Sequence, residues 1–204
     1  MDRSARATVP PNTQPRGDRT RTQILDAAIR VLVEQGYART STLAIQAEAG
    51  VTRGRLLHHY PSRDRLLMAA VDHLARTRIA DMPAQVDWPS DPAQRIDPAI
   101  ELGWTTFHQP YFVASMELWI AARTNEQLRS ALLPTERRLG PTVRRAVAGF
   151  LGDELTSRPR YPELYPLLLS SMRGVATTYL IDRRDPATDP HLELWKSMTR
   201  TYLL

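Results

Sequence analysis

Between Thr40 and Pro61 the sequence leaves room for little except two short helices bent around one glycine. Thr40, Ser41 and Thr42 offer hydroxyls that can accept from the free N–H groups at the start of a helix over 43–49. Gly50 then supplies a residue that ends a helix in the left-handed region without steric penalty. Thr52 caps a second helix that runs to about Tyr60 and is halted by Pro61. Ile45, Ala49, Val51 and Leu56 fall where the two helices must pack on each other and on the helix before them. The spacing over 42–61 therefore predicts a helix-turn-helix whose second helix stands proud of the body.

The exposed face of that second helix is predicted to show Thr52, Arg53, Arg55, His58 and His59, all of which can donate hydrogen bonds. Arg53 and Arg55 lie near its N-terminus, the part that reaches base edges when such a helix enters the major groove. No acidic residue occurs from 49 to 63. Residues 1–65 hold 11 arginines against 6 acids, whereas the remainder balances 16 basic residues with 16 acidic ones. The whole net charge of +5 thus sits in the first third, where it would attract a polyanion and release its counterions. Charge alone describes any solvated basic surface; charge on a projecting helix points to double-stranded DNA.

Around this motif the chain reads as all-α. Residues 1–18 carry three prolines and several arginines without an apolar period and are expected to form a flexible basic arm. Ile24, Ala28, Val31 and Leu32 then recur at helical spacing until Gly36. Ser62 can cap a fourth helix with Leu66, Leu67, Ala70, Val71 and Leu74 on one stripe, long enough to join two bodies rigidly. Pro83, Pro89, Pro92 and Pro98 mark 82–98 as a loop or a broken helix start. Further helices are expected near 99–109, 111–124, 126–150, 163–183 and 188–203. We place a DNA-binding domain at 19–78 and a second helical domain, for ligand binding and dimerisation, at 79–204.

The string GVTRGRLLHHYPSRDRLL at 50–67, preceded by Thr22 to Tyr37 ending in EQGY, resembles the DNA-binding domain of TetR/AcrR-type transcriptional regulators. The likeness covers roughly 18–78. It implies that Thr40 and Thr42 anchor phosphates, that Thr52, Arg53 and Arg55 face bases or nearby phosphates, and that Gly54 lets the backbone approach DNA. It also implies that His59 touches the DNA backbone, that Tyr60 closes the small core, and that Arg63 caps the next helix and meets phosphate. Arg16, Arg19 and Arg21 could add contacts from the arm. Two positions depart from the family pattern. Leu57 replaces a tyrosine that meets phosphate, a contact His58 can take over, and Gln46 replaces an alanine used for close helix packing. The resemblance implies a homodimer that reads a palindromic operator and is released by a small apolar or aromatic effector. Repression is the expected outcome; an activator or a helical interaction protein with the same domain is the alternative.

Trp104, Phe107, His108, Tyr111, Met116, Trp119 and Arg123 cluster on two successive predicted helices and could line an apolar pocket with a few polar anchors. Leu168, Met172, Val175, Tyr179, Trp195 and Met198 lie on wide apolar faces of the last two helices. By the resemblance, that pair meets its twofold copy as a four-helix bundle. The five histidines show no metal-ligand spacing, and neither a Walker loop nor a dinucleotide fingerprint is present, so we expect no enzyme, metal or cofactor. The lack of cysteine removes thiol chemistry and disulfides. No run of about 18 apolar residues exists and the N-terminus lacks an apolar signal region, so a cytoplasmic protein with no membrane partner is expected.

Overall fold

The computed structural model describes residues 16–81 and 87–204, and among them every regular element is helical. In chain order these are α1 (Arg16–Arg39), α2 (Thr42–Ala49), α3 (Arg53–His59), α4 (Arg63–Asp81), α5 (Pro92–Thr106), α6 (Pro110–Ala122), α7 (Glu126–Leu151), α8 (Asp153–Thr156), α9 (Tyr161–Thr178) and α10 (His191–Leu203). The expected arm lies outside the described residues up to residue 15, and Arg16–Asp18 already form the first turn of α1.

Local chemistry sets most boundaries. Ser41 accepts from Ala44 N at 3.0 Å to start α2, and Gly50 ends that helix at φ 61° with its N–H on Ala47 and Gln46 carbonyls. Thr52 caps α3, Ser62 Oγ accepts from Arg65 N at the start of α4, and Asn125 caps α7. Of the two readings of 82–98, loop or broken helix start, the second holds from Pro92, where the chain becomes helical. Asp91 caps that helix through Ala93 N, and Pro92 sits in its first turn, where a missing N–H costs nothing. Pro98 lies inside α5, and Pro134, Pro141 and Pro166 lie inside α7 and α9. The helix expected to reach residue 183 ends at Thr178, and a 3₁₀ turn at Pro186–Thr188 leads to α10.

Two cores result. The first joins Ile24, Leu32, Ile45, Leu56, Leu66 and Leu67, all shut off from solvent, and is completed by Ala114 and Leu118 of α6 and Leu128 and Leu132 of α7. The helix-turn-helix thus rests on helices from the second half of the chain. The other core packs Ile96, Trp104, Phe112, Leu155, Leu164 and Trp195 between α5, α6, α8, α9 and α10. Lys196 of α10, itself buried, pairs with Glu101 of α5 at 2.6 Å and with Glu193 at 2.7 Å, and Arg200 pairs with Asp97. Tyr179 donates to the buried Asp189 carboxylate at 2.5 Å, and burial together with that bond pushes its hydroxyl up to about 12.

Gly36 kinks α1 at φ 73°, ψ 168°, a conformation that side chains rarely adopt. A Cβ there would also lie 3.2 Å from Glu117 Oε2. Gly36→Ala is therefore expected to destabilise the protein by about 1–3 kcal/mol. Urea unfolding checks this: the midpoint should fall with an unchanged slope, and an unmoved midpoint would contradict it.

Candidate functional site

The first candidate surface is α3. Leu56 anchors its inner face, 1% exposed, while Arg53, Gly54, Arg55, Leu57 and His58 face solvent. The Thr52 hydroxyl is itself exposed and accepts from Arg55 N at 3.3 Å, so its proton remains available to an outside acceptor. A Cβ at Gly54 would meet nothing within 4 Å, so this surface is open to a close approach. His59 is half-buried beside Tyr60, whose ring closes the small core. The unit is stitched to α1 by Gln23 Nε2 donating to Ala49 O at 2.7 Å, by Arg21 Nε donating to Tyr60 OH at 3.2 Å, and by an exposed Arg30–Glu48 pair. Arg19 is exposed on α1 and Thr42 is half-exposed at the start of α2. Gln46 is half-buried and Leu57 is solvent-facing, so neither departure from the family pattern disrupts the turn.

Two of the expected phosphate contacts are turned inward. Thr40 is wholly buried and its hydroxyl donates to Gly36 O at 2.7 Å, so it cannot reach a phosphate. Arg63 donates to Thr40 O at 3.2 Å, lies 4.1 Å over the Tyr37 ring and pairs with Asp64 at 3.4 Å. Its guanidinium is a brace between α1 and α4, with only 32% of the side chain exposed.

That brace belongs to a network centred on Tyr37, which the sequence reading missed. Tyr37 N donates to Glu117 Oε2 at 2.7 Å, Tyr37 OH donates to Asp64 at 2.9 Å, and Asn125 Nδ2 donates to Tyr37 OH at 3.3 Å. Burial and the Asp64 hydrogen bond push the Tyr37 hydroxyl above its ordinary range. Glu117 sits on α6 between Met116 and Trp119, so one helix touches the end of α1 through Glu117 and a cavity through its neighbours.

The cavity, of about 200 Å³, opens between α5, α6, α7 and α9, with Val71 of α4 at one wall. Of the residues the sequence offered for a pocket, Phe107, Tyr111, Met116 and Trp119 line it. Trp104, His108 and Arg123 do not. Trp104 is buried against Trp195, Tyr179 and His108, with its Nε1 donating to Pro186 O at 2.8 Å. His108 packs on Trp104 and Tyr179, where burial lowers its pKa, and Arg123 is exposed beyond the end of α6. The walls also include Glu136, Tyr161, Tyr165 and Arg173, which sequence reasoning did not single out. Burial raises the pKa of both tyrosines, so the two hydroxyls stay protonated. The spacing of 161, 165, 168, 169 and 172 along one helix face was the signal that could have found them.

The residues expected at a dimer interface divide differently. Leu168 and Met172 line the cavity, and Tyr179 and Trp195 are buried inside the protomer, so these four do not present a surface. Val175 and Met198 are half-buried. Outward on the same two segments are Leu167, Ser170, Gly174 and Thr178, then Ile181 at 92% exposure, with Leu194 and Ser197 on α10. The helical repeat explains the exchange: one position along turns a side chain by about 100°.

Among the described residues, no group of three or more histidines or acids could hold a metal, and no helix is long and apolar enough to cross a membrane. Residues 24–70 match the family described as bacterial regulatory proteins, tetR family. The chain is 30% identical over 168 residues to the HTH-type transcriptional regulator CymR of Pseudomonas putida, covering 79% of each chain. It is 28% identical over 142 residues to the HTH-type transcriptional regulator BetI of Brucella melitensis, covering 69% of each. Among solved structures it is similar to the multidrug binding protein EbrR complexed with ethidium, at a TM-score of 0.61 and 25% identity, over 91% of this chain and 99% of that one.

Proposed function

The chain belongs to the TetR family of bacterial transcriptional regulators, and from that premise we propose that it is a homodimeric repressor released from a palindromic operator by a small apolar or aromatic molecule. One observation carries the reading: an arginine-bearing helix, pinned by Leu56, whose outer face is open to solvent. Arg53 and Arg55 read base edges, Thr52 and His58 hold phosphates beside them, and Arg19 and Thr42 steady the unit from α1 and α2. Dimerisation uses the outward faces of α9 and α10, where Leu167 and Leu194 are exposed together with the small residues Ser170 and Gly174, and Ile181 just past the end of α9. An isologous interface there would set two copies of α3 about one DNA turn apart, near 35 Å.

The cavity binds the effector. Its contents press on α6, and Glu117 passes the displacement to Gly36 and Tyr37 at the end of α1, which carry the helix-turn-helix. Effector and operator then favour different arrangements and oppose each other. The similar solved structure is a multidrug binding protein complexed with ethidium, an aromatic molecule, and this supports an aromatic effector here.

A gel shift on the DNA upstream of the protein's own gene tests the reading. We expect a discrete complex whose affinity falls steeply with salt, with a log–log slope of roughly −0.9 per phosphate neutralised. A complex that forms equally well on unrelated DNA, or none at all, would count against it.

A further inference from the structure

The apolar walls of the cavity are interrupted by polar groups that the chain leaves unmatched. Trp119 and Tyr161 both line it, and Trp119 Nε1 and Tyr161 OH are shielded from water without a hydrogen-bond partner among the described residues. An indole N–H only donates, so nothing but an acceptor can satisfy it, and until one arrives the group bears its desolvation cost in full. The Arg173 guanidinium, also in the wall, lies 4.9 Å from the centre of the same Trp119 ring and makes no ion pair among the described residues. Arg144 lies 5.0 Å from the ring centre of Tyr165, another wall residue, and adds positive charge on that side. Against these stands one wall carboxylate, Glu136, on α7.

We infer that the cavity takes a mainly apolar, aromatic molecule bearing one carboxylate, seated on the Trp119 and Arg173 side. The inference rests on the reading of this cavity as the effector site and adds the chemistry of the effector. In an apolar enclosure a carboxylate is tolerated only where a charge and a donor meet it together, and Arg173, over the ring that carries the unmatched Trp119 N–H, supplies both with that N–H. A cation would find Glu136 and the aromatic faces of the wall, but would be repelled by Arg173 and Arg144.

Calorimetric titration of the full-length protein with three probes of one shape tests this: para-butylbenzoate, para-butylbenzyl alcohol and para-butylbenzylamine. The benzoate should bind about tenfold or more tightly than the alcohol, and the amine more weakly than either. Trp119→Phe, which keeps the ring and removes the N–H, and Arg173→Gln should each bring the benzoate down toward the alcohol while shifting the alcohol only about twofold. Circular dichroism checks that both variants fold, and Arg173→Gln decides alone if Trp119→Phe does not. An amine that binds best, or a benzoate preference that survives both variants, would overturn the carboxylate assignment while leaving the effector site standing. A separate variant tests the site itself. Gly103 lines the cavity and a Cβ there meets nothing within 4 Å, so Gly103→Leu fills open space in a helix that leucine favours. It should abolish binding of all three probes. Probes that bind Gly103→Leu as they bind the parent, or that bind neither protein, would overturn both the site and its chemistry.

Discussion

With Arg53 and Arg55 both replaced by alanine, the protein is expected to lose its discrimination between operator and random DNA while keeping its fold. Both side chains face solvent, and neither forms an ion pair or side-chain hydrogen bond among the described residues, so their removal leaves nothing unsatisfied inside. A good bidentate contact to a base is worth about 1–3 kcal/mol of discrimination, so losing two such contacts costs roughly 30-fold to 10⁴-fold in specificity. Competition binding of labelled operator against random duplex reads the ratio at each salt concentration, and a thermal melt reads the fold. A specificity ratio that survives the double substitution, with an unchanged melt, would remove α3 from the recognition surface. Arg63→Ala is the informative contrast. Because that guanidinium braces Thr40 O and the Tyr37 ring, its loss should lower the melting temperature rather than alter base preference.

Glu117→Ala is expected to separate effector binding from DNA release. The carboxylate accepts the Tyr37 N–H at 2.7 Å and lies against Gly36, so it joins α6 to the kink of α1. It does not line the cavity, although Met116 and Trp119 beside it do. Effector affinity should therefore stay near that of the parent. Coupling between two sites in a regulator of this kind amounts to about 1–3 kcal/mol, or roughly 5-fold to 150-fold in operator affinity. In Glu117→Ala that ratio, measured with and without saturating para-butylbenzoate, should collapse to about twofold or less. Full release by the probe in this variant would show that the signal travels by another route, and would leave the cavity assignment intact.

How much of this was readable from the chain depended on how local each cause is. Caps and breakers act within four residues, so Thr52, Gly50 and Pro61 were enough to place α2 and α3. The same hydroxyl chemistry could not separate Thr40 from Ser41 and Thr42. Which of three adjacent hydroxyls turns inward is decided by Gly36 O, a carbonyl four residues earlier that accepts both the Thr40 N–H and the Thr40 hydroxyl. Prolines left the choice open: Pro92 and Pro98 fit either a loop or a broken helix start, and one opens α5 while the other lies within it. The cavity was half legible. Phe107, Tyr111, Met116 and Trp119 are close in sequence and close in space, whereas Tyr161 and Arg173 arrive from a helix more than 40 positions later. Trp104 shows why proximity in sequence was an imperfect guide, since its indole turns away toward Trp195 and Pro186. For α9 the apolar stripe was visible, but nothing in it said that the stripe faces a cavity rather than a second copy.

Hydroxyl-radical footprinting of the full-length protein on the DNA flanking its own gene tests the central claim most directly. Two protected patches related by a dyad, with centres about 10–10.5 base pairs apart, are the predicted result for two α3 helices in successive major grooves. A single isolated patch, or uniform protection along the fragment, would contradict it.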